Sequence, residues 1–290
     1  MVMATILLMA SAMVCEFPFF SNSLAEIRQI GSMSNYDDMV NGMTKEEIAE
    51  EKEKVREYNE GIYEYQMIHG FTYQGSEATD PTYESLLVSR DENDDANIMG
   101  IIEIPTIDVY LPIGHGTTDE LLTYAAGHMY GTSLPLGGKN TNAIIAGHTG
   151  LSTARLFTDV KNLENGDEVR IHVLDEIHRY QITSKKTVKQ GPEETPLLQM
   201  NEGKDEITLY TCSPYGINDE RIILRAKRAY PDIPYDGEGD ALLALSKETI
   251  LKLILCVAIP TTILIISLII RHKKKKEWLE NLAEEVEESR

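Results

Sequence analysis

The spacing of hydrophobic and polar positions changes several times along this chain. Val2 to Cys15 is uncharged and apolar, and the first positive residue is Arg28. From Thr44 to Met67, Ile48, Val55, Tyr58, Ile62 and Tyr65 recur at helical spacing, which predicts an amphipathic helix with one face on the protein and the other in water. Thr44 followed by Glu47 is a capping-box start for it. His69 to Asp80 is rich in Gly, Ser and Thr and reads as exposed loop, with Asp80-Pro81 leading into a short helix around Tyr83, Leu86 and Leu87. Arg90 to Asn97 is an acidic connector.

After Asn97 the pattern turns into short β-like runs: Ile98 to Ile104, Val109 to Ile113, Asn142 to Ala146, Asp167 to Leu174, Arg179 to Lys189, Glu206 to Thr211 and Arg221 to Arg228. Turn signals such as Gly137-Gly138, Asn165-Gly166-Asp167 and Asn201-Glu202-Gly203 separate several of them. Many short strands with few helices predict a closed barrel or sandwich of about 130 residues. Pro231 to Ser246 reads as a linker. Leu253 to Ile270 is then uncharged and almost wholly apolar, 18 residues or about 27 Å of helix. Arg271, His272 and Lys273 to Lys276 follow at once, and such a basic cluster favours the cytoplasmic side, placing the chain before Leu253 outside. The N-terminal apolar run has no positive residue ahead of it, so it is expected to be an uncleaved signal-anchor rather than a removed signal.

Charge and cysteine usage narrow the function. A net charge of −20 excludes a nucleic-acid phosphate binder, which needs a cationic surface. Of three cysteines, Cys15 and Cys256 fall in the hydrophobic ends, so Cys212 is the single thiol of the exported part and has no partner there for a disulfide. It ends a strand-like run and precedes Ser213-Pro214-Tyr215-Gly216, which must leave the sheet; a thiol at a loop mouth is well placed as a nucleophile. His115, His128, His148, His172 and His178 are the histidines that could partner it. His148 stands out, because it closes an apolar strand with Gly147 and Gly150 beside it, where other groups can approach closely. Arg221 opens the next strand and can return near Cys212, either to stabilise an oxyanion or as a surface arginine paired with Asp219 or Glu220. The histidines lack close-spaced partners, so no metal or other cofactor is expected. On the residues alone, a Cys-His-Arg thiol transferase or protease is one reading among several.

The run Thr208-Leu209-Tyr210-Thr211-Cys212, continuing through Ser213-Pro214-Tyr215-Gly216-Ile217-Asn218-Asp219-Glu220-Arg221, resembles the active-site signature of sortases, specifically the class C, pilin-polymerising group. Gly100 to Pro105, Leu111 to Gly116, Gly127-His128 through Pro135, and Ala146-Gly147-His148 are similar to further blocks of that family, in the family's order. The resemblance implies a mainly β, sortase-type closed barrel of about eight strands with short helices, preceded by a helical arm and flanked by membrane segments. It makes Cys212 the nucleophile, His148 the proton-transfer partner and Arg221 the oxyanion or substrate clamp. It implies a cysteine transpeptidase that cleaves an LPxTG-like sorting signal after its threonine through a thioester and passes it to a lysine amine of a pilin, on the plasma membrane of a Gram-positive-type bacterium with the catalytic part extracellular. Pilins or other surface proteins carrying such a signal, and the membrane, are the implied partners. A housekeeping-type sortase acting on peptidoglycan, an exported cysteine hydrolase, and a catalytically idle scaffold are the competing readings.

The match departs at two places. Ser213 stands where the family mostly has threonine. Class C members carry a lid with an Asp-Pro-aromatic motif; here Asp80-Pro81 is followed by Thr82 and only then by Tyr83. Read as a lid, Asp80 would pair with Arg221 and Tyr83 would cover Cys212; otherwise Asp80-Pro81 merely starts a helix. The expected division is a signal-anchor at 1–20, an arm with a possible lid at 21–97, the catalytic barrel at 98–230, a linker at 231–248, a membrane helix at 249–270 and a cytoplasmic tail at 271–290.

Overall fold

The computed structural model describes residues 2–72, 75, 80–88, 97–150, 156–214, 216–235 and 247–288. It divides into two compact units, residues 25–244 and a second made of 1–24 with 245–290. The first is built on nine strands: β1 (Ile98–Ile104), β2 (Val109–His115), β3 (Ala126–His128), β4 (Thr141–Ala146), β5 (Glu168–Val173), β6 (Glu176–Lys189), β7 (Asp205–Ser213), β8 (Glu220–Arg228) and β9 (Ile233–Pro234). They run in the order β5-β1-β2-β3-β4-β7-β8-β6-β9, and β5 pairs back onto β6, so eight strands close into a barrel and β9 adds outside β6. Closure leaves those eight without a free edge.

The seven strand-like runs of the sequence all appear, five of them extended by one to three residues at an end and the run from Asp167 to Leu174 trimmed by one at each end. Two short strands were not among them. β3 is three residues whose partners are supplied by β2 and β4 rather than by any local alternation. β9, with Tyr235 after it, lies in the stretch expected to be linker: the backbone N–H of Tyr235 donates to Asp175 and its hydroxyl to Asp37. Residues 236–246, the rest of that stretch, lie outside the described residues, as does the acidic connector up to Asn97.

The barrel interior takes alternate residues of each strand, among them Ile102, Ile104, Ile145, Ile171, Ile207, Leu209, Ile222 and Leu224. β1 is apolar on both faces because its other face is covered as well. There Ile98 and Ile101 pack with Met33, Tyr36 and Val40 of the helix α1 (Val2–Gly42) and with Tyr235. The helix is continuous through Pro18, so the expected boundary between residues 20 and 21 falls inside one element.

The helix α2 (Lys45–His69) starts at the Thr44–Glu47 capping box. Its buried positions differ from the predicted stripe: Ile48 and Val55 are covered, but Tyr65 is exposed, and Lys52, Asn59 and Gln66 are buried in its place. Docking is partly polar. The Asn59 amide donates to the Leu134 carbonyl at 3.1 Å and accepts from the Leu134 N–H at 2.7 Å, Gln66 donates to the Gly131 carbonyl at 3.1 Å, and Lys52 reaches Asp175 and Glu176. A hydrophobic periodicity cannot show such positions.

In the second unit, α5 (Lys247–Glu288) carries the apolar run and continues through the basic cluster into the acidic end without a break, so the expected tail is helical through Glu288. Both α5 and the beginning of α1 are long and apolar enough to cross a membrane. Thr5 and Ser267 hydroxyls meet at 2.9 Å between them.

The clamp on Leu134 is directly testable. Asn59→Ala leaves a buried N–H and a buried C=O unpaired, and it is expected to lower the unfolding free energy by roughly 3 kcal/mol in urea melts; a change within about 0.5 kcal/mol would show that α2 is held by other contacts.

Candidate active site

Side chains alternate across β7, so Ile207 and Leu209 fill the barrel while Thr208, Tyr210 and Cys212 stand on its outer face. β8 pairs with β7 antiparallel and sets Arg221 directly opposite Cys212, on the same face. On its other side β7 pairs in parallel with β4, Tyr210 opposite Ala146, and His148 follows two residues beyond the end of that pairing. Three neighbouring strands thus deliver the three residues to one cleft of about 690 Å³.

Local bonds fix the loop that carries His148. The Thr211 hydroxyl donates to the Gly147 carbonyl at 2.6 Å and lies 2.5 Å from the Thr149 hydroxyl, while the Gly147 N–H donates to the Tyr210 carbonyl. Phe157 lies against Gly147 so closely that a Cβ there would come within 2.6 Å of the ring. Only glycine permits this approach.

The opposite wall is the segment between β6 and β7, which includes the single-turn helix α4 (Thr195–Leu198). It is fastened from beneath. Arg225 donates to the Leu197 and Gln199 carbonyls and pairs with buried Glu206 at 2.7 Å; Asn142 donates to the Leu198 carbonyl and accepts from Thr208. Glu194, only 8% exposed, accepts from the Gly191 N–H and from the Tyr210 hydroxyl.

The structure separates the five candidate histidines. His128 is fully buried between Ser133 and Tyr83, and burial pushes its ring down to about 3, which keeps it neutral at working pH. His115 bridges the carbonyls of Asn97 and Leu86, and His172 binds Glu103. His178 meets Arg228 and Asp232. His148 alone of the five lines the cleft with Cys212 and Arg221. Partial burial lowers its pKa and the Asp119 carboxylate opposes that shift, so at pH 7 it is mainly neutral and able to accept a proton.

Arg221 is 9% exposed. Its Nε donates to the Tyr210 hydroxyl at 3.0 Å and its Nη1 to the carbonyls of Asn218 and Glu220 at 2.8 and 2.9 Å. It makes no ion pair among the described residues, so the surface pairing with the side chains of Asp219 or Glu220 is not formed. Nη2 has no protein partner among those residues either.

The lid reading of Asp80 and Tyr83 is corrected. The Asp80 carboxylate caps α3 (Pro81–Ser85) by accepting from the Thr82 N–H, and it does not reach Arg221. Tyr83 is fully buried, its hydroxyl 2.9 Å from His128 Nδ1 and accepting from the Gly116 N–H, so it supports the barrel and does not cover Cys212. Among the described residues of the arm, the aromatic side chain that does reach the cleft is Phe71, just past α2.

One cluster was invisible in the sequence: ligand atoms of Glu176, His178 and Asp232 come within 4.8 Å of one another. Lys52 sits on Glu176 at 3.0 Å, and Arg228 donates to His178 at 2.7 Å and to Asp232 at 3.1 Å. Lys52 and Arg228 already set positive charge against all three groups, which disfavours a further cation among them.

Comparison with known proteins agrees with this geometry. The sortase domain family matches residues 102–229. Sortase C1 of Streptococcus agalactiae is 35% identical and superposes with a TM-score of 0.61, over 69% of this chain and 99% of that one. The chain belongs to the sortase family. The Clostridium perfringens sortase C, whose structure holds a C-terminal cell wall sorting motif, is 32% identical with a TM-score of 0.57 over 70% of this chain and all of that one. Sortase A of Streptococcus agalactiae is 29% identical over 180 residues, 61% of this chain and 71% of the relative. The closed eight-stranded barrel is the sortase fold, and the family's activity is cysteine-based transpeptidation.

Two outcomes are expected of this sortase. The His148 ring should titrate below the ordinary imidazole value in NMR, and Asp119→Asn should lower it further, because the carboxylate stabilises the charged form; a midpoint that rises in Asp119→Asn would contradict the assignment. Asp80→Ala should leave the rate at which a small thiol reagent modifies Cys212 unchanged, whereas acceleration would restore the lid.

Proposed function

We propose that this sortase is of class C and joins pilin-like subunits, with Cys212, His148 and Arg221 as its catalytic residues. The reading rests above all on one observation: the thiol and the guanidinium are register partners on adjacent strands, with His148 lining the same cleft. The several solved sortase C structures that match nearly their full length, and the helical arm ahead of the barrel, favour class C over a peptidoglycan-anchoring enzyme.

The chemistry follows from the arrangement. Neutral His148 takes the thiol proton as Sγ of Cys212 attacks the threonine carbonyl of an LPxTG-like signal. The carbonyl oxygen gains negative charge and Nη2 of Arg221 donates to it, a charge-assisted bond that is stronger in the tetrahedral state than in the planar substrate. When the C–N bond breaks, the imidazolium returns the proton to the leaving glycine amine and a thioester remains. A lysine amine from a second subunit then attacks, the new C–N bond replaces C–S, and the amine proton passes through His148 to the departing thiolate. We place the catalytic barrel outside the cell and the Lys273 to Lys276 cluster at the cytoplasmic face, with α1 retained as an anchor.

The test is the full chain in detergent with an LPxTG-type peptide and hydroxylamine as the acceptor amine. A threonine hydroxamate should form at a rate that depends on hydroxylamine and vanish in Cys212→Ala; Arg221→Lys should fall at least about 100-fold, since an ammonium lacks the planar fork. Cleavage that ignores added amine would make the protein a hydrolase, and near-normal turnover in Arg221→Lys would remove that residue from the mechanism.

A further inference from the structure

The Arg221 guanidinium is held at one edge by a chain that begins on another loop. Glu194 accepts from the Tyr210 hydroxyl at 2.6 Å, and that hydroxyl accepts from Arg221 Nε at 3.0 Å. The order of donors is set by chemistry. A carboxylate only accepts, so the phenol proton is committed to Glu194 and the phenol oxygen turns its lone pair to Arg221. Burial, then the Glu194 carboxylate, raise the Tyr210 pKa, which keeps that proton in place. Glu194 is itself fixed by the Gly191 N–H at 2.6 Å, where the backbone takes a φ of +137° that suits glycine. A nearly buried carboxylate is costly unless its oxygens are satisfied, and both are satisfied here by groups of the cleft wall.

We propose that Glu194 and Tyr210 are positioning residues for the sortase reaction: through the Tyr210 hydroxyl they fix the plane of the Arg221 guanidinium so that Nη2 is the corner presented to the cleft. The proposal rests on the reading of Arg221 as the group that binds the oxyanion. An arginine side chain has many rotamers, and an edge already anchored spends less of the transition-state interaction on ordering it. Tyr210 lies two residues before Cys212 on the same face of β7, so the register that brings nucleophile and arginine together also places the phenol diagonally across from Arg221.

The experiment uses the full chain in detergent, the LPxTG-type peptide and hydroxylamine, with Tyr210→Phe, Glu194→Gln, their double variant and Arg221→Ala, each checked for an unchanged melting temperature. Tyr210→Phe should lower kcat about tenfold with KM within twofold, and Glu194→Gln less, because its amide oxygen still accepts. The double variant should be no slower than Tyr210→Phe, since both act through one arginine. In 15N spectra of the Cys212→Ala protein, the Arg221 Nε–H should exchange slowly with water and lose that protection in Tyr210→Phe. Losses that multiply in the double variant, or unchanged Nε–H exchange, would overturn the proposal. Normal turnover in Arg221→Ala would instead overturn the oxyanion reading, and the exchange rates would still decide whether the chain orients the side chain.

Discussion

Everything at the cleft depends on the register of β7 between two unlike neighbours. It runs parallel to β4 and antiparallel to β8, so a single strand faces two different hydrogen-bond patterns, each of which must be satisfied. Because side chains alternate, a slip of one residue would turn Cys212 into the barrel and set Thr211 on the outer face. The interior residues Ile207 and Leu209 oppose such a slip, since it would move both out of the core. Core packing and active-site geometry are therefore one constraint: the apolar residues that stabilise the barrel also determine what stands opposite Arg221.

A second set of bonds converts that register into a shaped cleft. Thr211, pointing inward beside Cys212, holds Gly147 and Thr149 and so sets the His148 loop. Thr208 and Asn142, one turn of the pleat below, hold the opposite wall, and Arg225 with Glu206 completes its support. Buried polar groups that are fully paired rigidify a site more than they stabilise a fold. Outward positions of β4, β7 and β8 and the inward Thr211 at the end of β7 are used for that purpose, while Ile145, Ile207, Leu209, Ile222 and Leu224 keep the interior apolar.

What could be read from the sequence follows the range of the forces involved. Strands whose apolar residues point into the barrel announced themselves within a few residues, and the end of one of them marked Cys212. β3 and β9 owe their existence to neighbours distant in the chain, and no local pattern marks them. The five histidines could be ranked only by context; separating them needed the partners that bury His128, His115 and His178. Tyr83 was the instructive failure, because an aromatic two residues after Asp-Pro looks the same whether it covers a cleft or fills a core, and only burial distinguishes the two. Glu194 carried no signal, being one of 47 acidic residues. In α2 the apolar spacing marks Ile48 and Val55, yet further along the buried positions are Asn59 and Gln66, one residue beyond Tyr58 and Tyr65, because these amides bind backbone rather than pack.

The wall formed by Leu197, Leu198 and Gln199 is gripped through all three of its carbonyl oxygens, and of its side chains Leu198 is buried while Gln199 is exposed. A carbonyl is the same whichever residue bears it. Arg225 and Asn142 can thus keep this stretch on its course while its uncovered side chains are exchanged, so that the course of the wall and the identity of the groups it offers an incoming peptide are free to evolve separately. In such a scaffold, new substrate preferences can arise by point substitution without first rebuilding the loop that displays them.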